Sequence, residues 1–185
     1  GRLDGLLRDA YHGELKPLYD HLKEPPDLRG MPGPRLSATQ VARTAGSTTS
    51  FDAGRGCPFE CSFCTIINVQ GKKSRQRSAD EVGEIIRRHT AEGIRRFFIT
   101  DDNFARNKDW EAYFDRMIAL RKEGVYLRYI VQVDTLCHKI PGFIDKACQA
   151  GVEQVFVGLE NINPDNLKAM NKRQNKITEY REMLL

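Results

Sequence analysis

No apolar run in this 185-residue chain approaches the roughly 20 residues a helix needs to cross a bilayer, so no membrane span is expected. Charges scattered through Gly1–Asp20 exclude the apolar core of a secretory signal. The chain opens on Gly rather than Met, and its true N-terminus is expected to be missing. Histidine is scarce. His12, His21, His89 and His138 have no close partner in sequence, which argues against a His-built metal site. Charge of one sign is not concentrated either: the net charge is +4, with Lys and Arg spread along the whole length. A nucleic-acid binder more often gathers its basic residues into one stripe, so a nucleic-acid partner is not expected. At 40% hydrophobic and 29% charged residues, the composition is that of a globular chain with enough length for one core.

The five cysteines, Cys57, Cys61, Cys64, Cys137 and Cys148, are odd in number, and three of them are clustered. That is a poor disulfide framework and a better metal or redox pattern, which implies a reducing, cytoplasmic setting.

Residues 1–47 read as a lead-in or interdomain linker. Leu3, Leu6, Leu7 and Ala10 fall at helical spacing, and Leu15, Leu18 and Leu22 repeat it, interrupted by Pro17. Pro25-Pro26 and the run Gly30-Met31-Pro32-Gly33-Pro34 then predict an extended connector. From residue 48 onward strands and helices alternate. A short strand ends within Ser50–Ala53. Ser78 and Glu81 form a capping box for a helix whose face is Val82, Ile85, Ile86 and His89, stopped at Gly93. Arg96–Thr100 is the second strand. Asn107 is expected to cap a helix bearing Trp110, Phe114, Met117, Ile118 and Arg121 on one side, stopped at Gly124. Tyr126–Val133 is the third strand, Pro141–Ala150 a helix closed by Gly151, and Val155–Leu159 the fourth strand. Asn163-Pro164 opens a further helix. Isolated residues take structural roles: His89 packs in the core, Trp110 anchors its helix, and Cys148 lies on an apolar helix side with Ile144 and Ala147.

This order predicts an α/β fold of βαβ units with a parallel sheet, curled into an open β/α barrel. Chemistry in such folds sits at the C-terminal ends of the strands, which places Cys57–Cys64, Asp101–Asn103, Asp134 and Glu160 on one rim. Four strands leave a parallel edge exposed, so further βα units are expected beyond Leu185 and the barrel is expected to be truncated at both ends.

The strongest local signal is Cys57-Pro58-Phe59-Glu60-Cys61-Ser62-Phe63-Cys64. Three thiolates within eight residues converge only if the loop wraps a compact object. Zinc commonly takes four ligands, and no fourth is near. A cubane cluster normally takes four cysteines, so three would leave one iron open, as in a catalytic rather than structural site. The C-x3-C-x2-C spacing, with the aromatic Phe63 just before the last Cys, resembles the radical S-adenosylmethionine superfamily signature. That resemblance implies a 4Fe-4S cluster on Cys57, Cys61 and Cys64. It also implies S-adenosylmethionine chelated by the open iron and cleaved to a 5′-deoxyadenosyl radical that abstracts hydrogen from a small-molecule substrate. An electron donor such as flavodoxin or ferredoxin is implied as partner. Residues 48–185 would be the N-terminal part of the core barrel.

On the rim, Asp101-Asp102-Asn103 stands where many members carry Gly-Gly-Glu, which contacts the cofactor's amino group. Only one of the two adjacent acids is expected to face inward. Gln132 and Asp134 share a face near the end of the third strand, and Glu160 directly follows the fourth. With Phe63, the residues Asp101, Asp102, Asn103, Gln132 and Glu160 are the candidates for holding S-adenosylmethionine. Arg77 is expected to meet a carboxylate or the cluster. The polar stretch Asn171–Asn175 has substrate-contact potential without an assignable role. The lead-in resembles the connector that follows a cobalamin-binding domain, which implies cobalamin held by a domain outside this chain. The reaction is then methylation of an unactivated carbon or a ring-forming or oxidative rearrangement. A methylthiotransferase-like modifier, a non-catalytic Fe–S electron carrier and a structural zinc module are the alternatives.

Overall fold

The structure is a computed structural model and describes residues 2–21, 23–43 and 48–185. In chain order the elements are α1 (Arg2–His12), α2 (Ala38–Arg43), β1 (Thr48–Phe51), β2 (Gly54–Arg55), α3 (Ile66–Val69), β3 (Arg75–Gln76), α4 (Ala79–Ala91), β4 (Arg96–Ile99), α5 (Trp110–Lys122), β5 (Arg128–Val133), α6 (Phe143–Ala150), β6 (Val152–Val157), α7 (Pro164–Ala169) and α8 (Tyr180–Leu184).

Four strands form an all-parallel sheet in the order β1-β4-β5-β6, with α4, α5 and α6 as the successive crossovers. Strands β1, β4 and β5 alternate sharply in burial, whereas β6 is largely exposed along its length. Phe51, Phe97, Ile99, Tyr129, Val131 and Val133 are buried against the helices, whereas Phe98, Ile130 and Gln132 between them are only partly covered. Side chains two apart share a face, so one face of the sheet builds the core and the other lines the bore. The core centres on Phe97, which is fully buried. Its ring lies 5.7 Å from Tyr129, 6.0 Å from Phe51 and 6.5 Å from His89. His89 is a core residue, as expected. Trp110 packs edge-on to Phe114 and Phe143, and so joins α5 to α6.

Helix α4 starts where the sequence places it. The Ser78 hydroxyl accepts from the Glu81 amide, and the Glu81 carboxylate accepts from the Ser78 amide. Asn163 caps α7 in the same way, accepting from the Asp165 amide. Asn107 does not cap α5. Its side chain accepts from the Asp109 amide in a turn before the helix, and Asp109 occupies the cap without a side-chain bond. Strand β6 begins three residues earlier than expected, because Gly151, at φ 96°, reverses the chain immediately after α6. Cys148 and Ile144 are exposed; the buried side of α6 is Phe143, Ala147 and Ala150.

The lead-in is less detached than its composition suggested. Arg8, Asp9 and their neighbours form α1, but Leu15 and Leu18 lie in irregular chain, since Pro17 cannot continue a helix. Leu22 lies outside the described residues, as do Gly1 and residues 44–47. Leu28 is fully buried, and its carbonyl and that of Met31 accept from the Arg77 guanidinium. The Gly30 amide donates to Glu81. Residues 26–41 therefore dock on the first crossover.

Phe97→Ala removes a ring with no exposed surface and three aromatic neighbours. It should cost about 3–5 kcal/mol, read as a shift in the urea midpoint with an unchanged slope.

Candidate active site

The C-terminal ends of β1, β4, β5 and β6 converge on one rim. There an open cavity of about 290 Å³ is lined by Cys57, Cys61, Phe63, Cys64, Asp102, Asn103, Gln132, Asp134, Glu160 and Gln174, among others. The cysteine loop arrives from β1 and is pinched at its base by the two-stranded ribbon of β2 and β3, where Gly54 pairs with Gln76 and Arg55 with Arg75. Short polar strands gave no signal in the sequence. Gly56, at φ 103°, makes the turn into Cys57; a Cβ there would lie 2.9 Å from the Lys73 carbonyl oxygen, so only glycine fits.

The acidic pair at the end of β4 divides in two. Asp101 is buried and faces away from the cavity. One carboxylate oxygen accepts from the Ala53 and Gly54 amides at 2.7 and 2.8 Å, and the other from the Asn107 amide at 3.2 Å. Asp101 does not border the cavity in which its expected contacts with S-adenosylmethionine would lie, and its donors tie it to the segment leaving β1. Asp102 faces the cavity and accepts from the Gly56 amide at 2.7 Å, one residue before Cys57. Asn103 also lines the cavity. Its amide donates to Asp134 at 3.0 Å, while its carbonyl oxygen is buried without a partner.

Asp134 reaches the rim, but its charge is spent within the protein. Arg106 contacts both carboxylate oxygens, at 2.6 and 2.8 Å, and the Leu136 amide donates as well. Burial raises its pKa, but these donors together hold the carboxyl below the usual range. Arg106 also lies over the Phe59 ring, 5.6 Å from its centroid, and so braces the cysteine loop. Gln132 borders the cavity and donates to the Asp101 carbonyl at 3.2 Å. Arg77 meets a carboxylate, Asp52, at 3.5 Å and does not reach the cysteines.

Glu160 closes the rim in a left-handed conformation, φ 58°, which is costly for a residue with a side chain and is found where surrounding structure enforces it. The enforcing groups are Asn175, which donates to the Gly158 and Leu159 carbonyls at 2.8 Å each, and the Tyr180 hydroxyl, which binds the Leu159 carbonyl. Lys172 pairs with Glu160 at 2.7 Å and sits 5.5 Å from the Phe63 ring centroid. The sequence marks residues 171–175 as a polar stretch with substrate-contact potential but no assignable role. Nothing local in it reveals that the loop folds back over the cysteines, because that contact spans more than 100 positions.

Burial pushes the Cys57 thiol up, opposed by the Phe59 amide and the Asn103 side chain. Among the described residues, no three Cys, His, Asp or Glu side chains converge as the ligands of a single ion would. The three thiols instead border a shared cavity. That suits a cluster carrying one ligand at each of three corners, and Asn103 and Gln174, which border the cavity, each keep a buried oxygen without a partner in the protein.

The family model of the Radical SAM superfamily matches residues 52–184. The chain belongs to the radical S-adenosylmethionine superfamily. It is 30% identical over 181 residues to a bacteriochlorophyllide d C-12(1)-methyltransferase of Chlorobaculum tepidum, covering 95% of this chain and 39% of that protein. It is 28% identical over 138 residues to the hopanoid C-2 methylase of Rhodopseudomonas palustris, covering 72% and 26%. The chain thus spans about two-fifths or less of these curated relatives. Its fold matches the radical S-adenosylmethionine methyltransferase TsrM of Kitasatospora setae, solved with cobalamin and a [4Fe-4S] cluster bound. The TM-score is 0.60 and the identity 24%, over 73% of this chain and 27% of that one. The open four-stranded sheet is therefore part of a radical S-adenosylmethionine barrel. Among the described residues no helix is long and apolar enough to cross a membrane.

Burial raises the Asp101 pKa to about 7 from 3.8, against the pull of its donors. The folded state then holds more protons than the unfolded chain across that window. The contribution to stability is fully present below the ordinary carboxyl pKa and is lost as pH rises through about 7. Urea midpoints should fall over this window in the wild type, and the fall should flatten in Asp101→Asn, which cannot ionise.

Proposed function

We propose that the protein containing this chain is a radical S-adenosylmethionine enzyme that uses cobalamin, held outside this chain, to methylate or rearrange a small molecule. The observation that carries the reading is the cavity shared by three free cysteines and the ends of the parallel strands β4, β5 and β6. Support for methylation comes from the relatives, both of which are named for methyl transfer. The docked lead-in is consistent with a connector between that cofactor's domain and the barrel.

Cys57, Cys61 and Cys64 would hold the cluster, and the polar groups facing the cavity, Asp102, Asn103, Gln132 and Glu160, would hold S-adenosylmethionine. When bound, the cluster supplies the electron that cleaves S-adenosylmethionine to methionine and a 5′-deoxyadenosyl radical. Asp102 fixes the Gly56 amide through one carboxylate oxygen and borders the cavity, where a carboxylate suits an ammonium. Glu160 and Lys172 present a fixed charge pair at the opposite side, suited to a zwitterion. Phe63, half exposed, borders the same cavity as the cysteines and lies under the Lys172 ammonium. A one-electron donor of the flavodoxin or ferredoxin class completes the system.

The test is anaerobic incubation of the reconstituted intact protein with reductant and S-adenosylmethionine, following 5′-deoxyadenosine and methylated cobalamin. Wild type should release 5′-deoxyadenosine, and alanine at Cys57, Cys61 or Cys64 should reduce the yield to background. A fully loaded cluster that leaves S-adenosylmethionine intact would assign the chain to electron transfer instead.

A further inference from the structure

The segment that follows α7 behaves as a strap over the cysteine loop. The Ser62 amide donates to the Met170 carbonyl at 2.9 Å, and the Asn171 side chain donates to the Glu60 carbonyl at 2.7 Å. At the centre of the strap, Gln174 is only 6% exposed, and its side-chain nitrogen lies 3.4 Å from the Cys61 sulfur. Its position is fixed from behind, because the Thr135 hydroxyl donates to the Gln174 carbonyl at 3.1 Å.

Two features make this contact more than packing. A thiolate offers only lone pairs, so the carboxamide must turn its N–H toward sulfur and its oxygen away. That oxygen, Oε1, is buried without a partner, on a side chain that lines the same cavity as the three cysteines. A buried acceptor left unpaired costs roughly 1–3 kcal/mol, a cost that a donor reaching it from the adjoining cavity would remove.

We infer that Gln174 is a positioning residue that joins the two halves of the site: its N–H bonds the Cys61 thiolate, and its carbonyl accepts from an N–H or O–H donor of the cavity ligand. The inference rests on the proposed function and adds to it a route by which ligand binding is felt at the cluster. Donation to a cluster thiolate stabilises the reduced, more negative state and so raises the reduction potential. A donor on Oε1 polarises the amide and strengthens the N–H···S bond. Binding of the ligand therefore favours reduction through this side chain.

The experiment is an EPR-monitored redox titration of the intact protein, reconstituted anaerobically with iron and sulfide, with and without S-adenosylmethionine. Gln174→Met keeps the length and bulk but has neither donor nor carbonyl. It should retain iron, lower the midpoint potential of the ligand-free cluster, and weaken S-adenosylmethionine binding about tenfold, the equivalent of one hydrogen bond. A merely structural role would alter iron content without moving the midpoint of the clusters that do form. A fully loaded Gln174→Met variant with an unmoved midpoint overturns this inference and leaves the proposed function standing. Absence of any cluster in the wild type overturns both. Should Gln174→Met lose its iron, wild-type protein carrying 15N in its glutamine side chains decides the matter. A 15N hyperfine coupling to the reduced cluster that persists in Gln132→Met is expected, and its absence overturns the inference.

Discussion

Everything on the rim depends on how the end of β4 grips the chain that leaves β1. Asp101 and Asp102 do this with carboxylates set against backbone amides: Ala53 and Gly54 on Asp101, Gly56 on Asp102. Adjacent residues at a strand end point to opposite sides, so the pair clasps the departing segment from the core side and from the cavity side. The cysteines begin one residue later. A loop that is to hold three thiolates around a common object needs a fixed origin, and these hydrogen bonds supply it in a region too short for regular structure.

The remaining polar groups are shared between holding the loop and facing the cavity. Asp134 and Arg106 are spent on each other, and Arg106 in turn supports Phe59. Asn175 and Tyr180 hold the turn that carries Glu160. Asp102, Asn103, Gln132, Glu160 and Gln174 remain with atoms toward the cavity. The site thus places most of its bracing on residues remote in sequence from the cysteines, which keeps the thiols and the ligand-facing oxygens in register without metal-like convergence of the side chains themselves.

The fold was legible where sequence and physics act locally. The Ser78–Glu81 capping box, the Asn163-Pro164 start and the apolar centres of β4 and β5 each declare themselves within a few residues. The cysteine spacing was equally local and announced the superfamily. What the sequence hid was tertiary. Alternation foretold that only one of Asp101 and Asp102 faces inward, but which one does, and that the other ties down the chain leaving β1, rests on tertiary contacts. The start of β6 is shifted by the reversal at Gly151, and α6 buries Phe143, against Trp110 and Phe114 of α5, rather than Ile144. Arg106 carried no signal, and the polar stretch that holds Lys172 and Gln174 carried no role, because their partners lie 28, 12 and 113 positions away.

The account's central claim is that three cysteines on this rim hold a cluster with one corner open to S-adenosylmethionine. The most direct measurement is EPR of the reduced, reconstituted intact protein before and after S-adenosylmethionine is added. A 4Fe-4S signal whose g-values change on addition is the predicted result. A signal indifferent to S-adenosylmethionine would contradict the claim of an open corner.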